Sequence, residues 1–60
     1  MSNKEIYKLE DGFDCLVFRY EKDYNEVHIS LDNMDDFSSI DMSRREAIKM
    51  AKTILKELDE

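Results

Sequence analysis

An α+β domain, in which an antiparallel meander of three or four strands carries one C-terminal helix packed on one face, is what this sequence predicts. Three observations carry the prediction. Residues 43 to 58 hold a capped, amphipathic helical period; Asp11-Gly12 sits between two apolar stretches as a hairpin signal; and Val27-His28-Ile29-Ser30-Leu31 alternates apolar and polar residues as a half-buried strand does.

The first hairpin follows from Asp11-Gly12, because a type I′ turn needs positive φ at both central residues and these two tolerate it. With that pair as the loop, Glu10 is expected opposite Phe13, Lys8 opposite Cys15, Tyr7 opposite Leu16 and Ile6 opposite Val17. Tyr7, Leu9, Leu16, Phe18 and Tyr20 then share one face. The second strand runs to about Glu21, and Lys22-Asp23-Tyr24-Asn25 breaks the pattern before the third. A loop of two or four residues centred on Asp23 and Tyr24 places Leu16 opposite Leu31, Phe18 opposite Ile29 and Tyr20 opposite Val27. Both turns put the apolar residues on the same side, an agreement that a one-residue slip in either would destroy.

Asp32 to Asp36 is polar and reads as a loop, after which Ser38 to Met42 is the candidate fourth strand. The helix begins at Ser43. Its hydroxyl is spaced to accept from the Glu46 N–H while the Glu46 carboxylate reaches back, with Met42 and Ala47 as a weak hydrophobic staple. Ala47, Ile48, Met50, Ala51, Ile54, Leu55 and Leu58 fall on one side of the helical wheel. That stripe is expected to pack on the sheet face carrying Tyr7, Leu16, Phe18, Tyr20, Ile29 and Leu31.

Residues 1–60 form a single domain, and a chain this short buries only about 60% of its unfolded surface, so the core is thin and a partner or second copy adds stability. One cysteine, Cys15, allows no internal disulfide, and no apolar run is long enough for a signal peptide or membrane helix. A cytoplasmic setting without membrane contact is therefore expected. The net charge of −6 is unevenly placed: residues 1 to 42 hold four basic and eleven acidic side chains, residues 43 to 60 five and four. That balance repels phosphate, which disfavours direct nucleic-acid binding and favours a basic protein surface as partner.

No constellation for catalysis emerges, and the chain is expected not to be an enzyme. Cys15 and His28 share the open sheet face on neighbouring strands, yet Cys15 faces Asp32 and His28 faces Arg19, more than one pair apart. A single Cys and a single His without ligand spacing make no zinc site. Asp32-Asn33-Met34-Asp35-Asp36 begins like a calcium loop but carries Phe37 where an EF-hand needs glycine and Ser43 where it needs glutamate. The basic side of the helix, Arg44, Arg45, Lys49, Lys52 and Lys56, is interrupted by Glu46 and Glu57 and reads as solvated. No Gly-rich phosphate loop is present, and no cofactor is expected.

The open sheet face is the more informative feature. It is expected to present Ile6, Phe13 and Val17 beside Arg19 and His28, an apolar cluster unusual on a small monomer. Carboxylates at turns and loops, among them Asp32, Asp35, Asp36 and Asp41, complete the expected partner-binding set. So spaced, such acids can imitate duplex phosphates and occupy the basic groove of a nucleic-acid-binding protein. A homodimer through the same face is the alternative.

The compact acidic chain opening Met1-Ser2-Asn3-Lys4, with an α+β pattern and no catalytic motif, resembles the small accessory proteins of bacteriophages and mobile elements that bind and block host or defence proteins. The resemblance implies a non-enzymatic inhibitor or modulator of a protein partner. The strand-strand-strand-helix order, with Ser43-Arg44-Arg45-Glu46-Ala47 opening the helix, is also similar to the antitoxin domains of the HicB family, without the proline and glycine signature that family carries between strands and helix.

Overall fold

The alternation of bulky and polar residues along the first two thirds of the chain produces four consecutive antiparallel strands. The computed structural model describes residues 3–59, comprising β1 (Asn3–Asp11), β2 (Asp14–Glu21), β3 (Glu26–Asp32), β4 (Phe37–Ser43) and α1 (Arg44–Leu58). The strands form one open sheet in the order β1-β2-β3-β4, the α+β meander expected. Among the described residues no helix is long and apolar enough to cross a membrane.

The second hairpin has the anticipated register, with Leu16 opposite Leu31, Phe18 opposite Ile29 and Tyr20 opposite Val27. Its turn, Lys22 to Asn25, closes with the Tyr24 N–H donating to the Glu21 carbonyl at 3.2 Å and places Asn25 at φ 57°. The fourth strand forms over the full Phe37–Ser43 and pairs Met42 with Val27 and Ile40 with Ile29.

The first hairpin differs from the expected one. Its loop is Gly12-Phe13, not Asp11-Gly12: Asp11 pairs with Asp14, Leu9 with Leu16 and Tyr7 with Phe18. Gly12 takes φ 63° at the first loop position while Phe13 stays out of the left-handed region, so glycine is needed only there. From Tyr7 to Asp11, each residue of β1 meets a partner two positions further along β2 than anticipated. An even shift preserves the faces, and the Tyr7 and Phe18 rings meet edge to face with centroids 5.9 Å apart.

A register irregularity between Glu5 and Tyr7 has the larger effect. It makes Ile6 the extra residue of a bulge, beyond which Glu5 pairs with Arg19 and Lys4 with Tyr20. Ile6 was expected on the open face with Val17. The bulge instead turns it to the helix-bearing side, where it lines a groove with Tyr20, Val27, Ala47 and Ile48.

Ser43 is both the last strand residue and the helix cap: its extended backbone (φ −68°, ψ 158°) ends β4, and its Oγ accepts from the Glu46 N–H at 3.1 Å. The Arg44 N–H donates to the Asn25 carbonyl at 2.9 Å, fastening the helix start to the β2–β3 turn. With no connecting residues, α1 has little slack to swing across the sheet. Among the described residues its backbone comes close to β3 and β4 but not to β1 or β2. The expected cover over Tyr7 and Leu31 is therefore missing, and these side chains are 54% and 45% exposed. Among the described residues only Val17, Val27 and Ser30 are buried, and none of the three lies in α1.

Candidate functional site

The pairing registers sort the sheet into two unlike faces. One is apolar, carrying Tyr7, Leu9, Leu16, Phe18, Ile29, Leu31 and Ile40, and α1 begins over one end of it. The other is polar. It sets the carboxylates of Glu5, Glu10, Glu21, Glu26, Asp32 and Asp41 against the cations of Lys8 and Arg19.

Across the polar face runs a row of four paired residues, Glu5, Arg19, His28 and Asp41, one from each strand. His28 Nδ1 and Asp41 Oδ1 lie 2.5 Å apart, a cross-strand pair that braces edge strand β4 against β3. Three of the expected binding residues, Arg19, His28 and Asp41, thus belong to one row. Val17 occupies the same face but is not displayed. It sits mid-strand in a central strand, with Lys8 and Ser30 directly opposite and Cys15 and Arg19 next along the face, and is 7% exposed. The stems of the long neighbours screen a β-branched side chain that stands only two carbons off the sheet. The expectation of a sticky Val17 is corrected accordingly.

Cys15 pairs with Asp32, four positions along β2 from the Arg19 that faces His28, which separates thiol and imidazole positions by about 13 Å. Among the described residues, no group of three or more His, Cys, Asp or Glu side chains is gathered to hold a metal ion.

The remaining expected residues meet at one end of the sheet. In a meander the first and third connections lie at the same end, so the Gly12-Phe13 turn and the Asn33–Asp36 loop are brought side by side. Phe13 is no strand residue but the tip of its turn, 76% exposed. In the neighbouring loop Asn33 Oδ1 accepts from the backbone N–H groups of Asp35 at 3.0 Å and Asp36 at 2.8 Å, while the Asn33 N–H donates to the Asp36 carbonyl at 2.9 Å. This Asx turn fixes the backbone and leaves both aspartates exposed. Met34 and Phe37, 69% and 66% exposed, complete the end. Asp11 and Asp14, the pair closing the first turn, and Asp32, paired with Phe37, add carboxylates.

Three exposed apolar side chains and five aspartates thus meet at this end of the sheet. Sequence reasoning named Phe13, Asp32, Asp35 and Asp36 but missed Met34 and Phe37. The signal was available: alternate turns of a meander share an end, whatever the register within each hairpin.

Comparison of the chain with known protein families, with curated proteins and with solved structures finds no match in any of the three.

Proposed function

We propose that this chain is a non-enzymatic binding protein that inhibits or modulates a protein partner, and that it docks through the acidic, aromatic end of its sheet. The observation that carries the reading is the juxtaposition of Phe13, Met34 and Phe37, each more than 65% exposed, with Asp11, Asp14, Asp32, Asp35 and Asp36. Exposed aromatic anchors supply the contact area that dominates binding energy, and the carboxylates around them steer and select a basic surface. The groove of a nucleic-acid-binding protein has that chemistry, and the charge of −7 on residues 1 to 42 disfavours nucleic acid itself. The Glu5-Arg19-His28-Asp41 row lies toward the other end of the polar face, near the Lys22–Asn25 turn, and stands apart from this surface.

The test is capture from a bacterial lysate, followed by calorimetry with the purified captured protein. Phe13→Ala with Phe37→Ala is expected to abolish measurable binding, and Asp35→Lys with Asp36→Lys to slow association and remove its dependence on salt. Binding unchanged in both double variants would overturn the reading.

A further inference from the structure

We propose that the apolar face of the sheet and the apolar stripe of α1 are covered by a second copy of this chain. In the resulting two-fold dimer, Leu55 and Leu58 of each copy seat on the sheet of the other. The inference stands apart from the acidic end, which such a dimer leaves free.

Surface area is the first argument. A folded monomer of 7.2 kDa is expected to expose about 4,100 Å², whereas this chain exposes 5309 Å². The excess of about 1,200 Å² is more than the roughly 800 Å² that one partner contributes to a standard specific interface. The radius of gyration agrees, at 12.8 Å against about 10.4 Å for a compact chain of this length.

Part of the excess lies where a second copy would remove it. Ile54, Leu55 and Leu58 are 50%, 68% and 79% exposed on the distal half of α1. On the sheet, Leu16, Ile29, Leu31 and Ile40 line an open groove of about 350 Å³ away from the helix. One chain therefore carries both a protruding apolar ridge and an apolar recess. A two-fold axis satisfies both at once, because an isologous contact repeats each pairing reciprocally.

The same chain alone buries two apolar side chains, Val17 and Val27, among its described residues.

Sedimentation equilibrium from micromolar to submillimolar concentration is expected to give twice 7.2 kDa, with a urea-unfolding midpoint that rises with protein concentration. Leu55→Glu with Leu58→Glu, and separately Ile40→Glu, are expected to weaken association on the order of a hundredfold, with Lys8→Ala on the polar face leaving it intact. Far-UV circular dichroism checks that each variant keeps its helix and strands. A wild-type chain that stays monomeric with a concentration-independent midpoint overturns the proposal. So does a dimer that survives the folded Leu55/Leu58 or Ile40 variants.

Discussion

Asn25 joins the second hairpin to the start of the helix, and replacing it tests whether backbone conformation or side-chain bonding holds that junction. Its φ of 57° lies in the left-handed region, its carbonyl accepts the Arg44 N–H at 2.9 Å, and its Oδ1 accepts the Tyr20 hydroxyl at 2.9 Å. Asn25→Ala keeps the carbonyl but places a Cβ residue with no local polar compensation at positive φ, at a cost of about 1 kcal/mol. It also removes the hydrogen bond from Tyr20, worth about 0.5–1 kcal/mol at an exposed site. The expected loss is therefore about 1.5–2 kcal/mol. Asn25→Gly loses the same hydrogen bond but adopts positive φ freely, so its expected cost stays within about 1 kcal/mol. Urea unfolding followed by circular dichroism at one fixed protein concentration reads the two side by side. The difference of about 1 kcal/mol corresponds to a gap of about 4–8 °C in Tm for a domain this small. Equal stability of the Ala and Gly variants would refute the assignment of the junction to the left-handed turn.

Two further outcomes follow from the same geometry. Val27→Ala removes two methyl groups from the most buried apolar residue, 4% exposed beneath the first turns of α1, and is expected to cost about 1.5–3 kcal/mol by urea unfolding with an unchanged m-value. Against the roughly 3–9 kcal/mol typical of a 60-residue domain that is a large fraction, so a loss below half a kilocalorie would contradict its place in the core. The His28–Asp41 pair, with side chains 34% and 60% exposed, is expected to contribute less than about 1 kcal/mol in a double-mutant cycle with His28→Ala and Asp41→Ala, and a coupling several times larger would mark it as more than a surface brace.

How far the sequence was legible depends on which force sets each feature. The β2–β3 register was readable because Leu16, Phe18 and Tyr20 must face Leu31, Ile29 and Val27 for either strand to bury its bulky side, and the polar Lys22–Asn25 break fixes the turn between them. In the first hairpin, Asp11-Gly12-Phe13 accommodates two turns. One uses Gly12 second and the other uses it first, and since they differ by an even shift, burial does not choose between them. The bulge at Ile6 has no local mark: Lys4-Glu5-Ile6-Tyr7 contains neither glycine nor proline, and the extra residue was not visible until β1 was paired. Val17 was assigned to the correct face but not to its correct exposure, because alternation says which way a side chain points and not how far its neighbours lean over it. Similarly, the stripe from Ala47 to Leu58 shows that the helix needs an apolar surface without saying whose. Of the acids expected at turns and loops, Asp35 and Asp36 lie in a loop while Asp32 and Asp41 lie in strands, which puts Asp41 in the row with Glu5, Arg19 and His28. Phe13, Asp35 and Asp36 were found individually, and only the topology gathers them.

In the proposed dimer the apolar side of this molecule is an interface between copies, with the polar face turned outward. Isotope-filtered nuclear Overhauser spectroscopy on a mixture of labelled and unlabelled wild-type chains tests it without altering a residue. The expected result is intermolecular contacts joining the methyl groups of Leu55 and Leu58 in one copy to those of Leu31 and Ile40 in the other. Contacts confined to the polar face, around Cys15 and His28, or no intermolecular contacts at millimolar concentration, would contradict it.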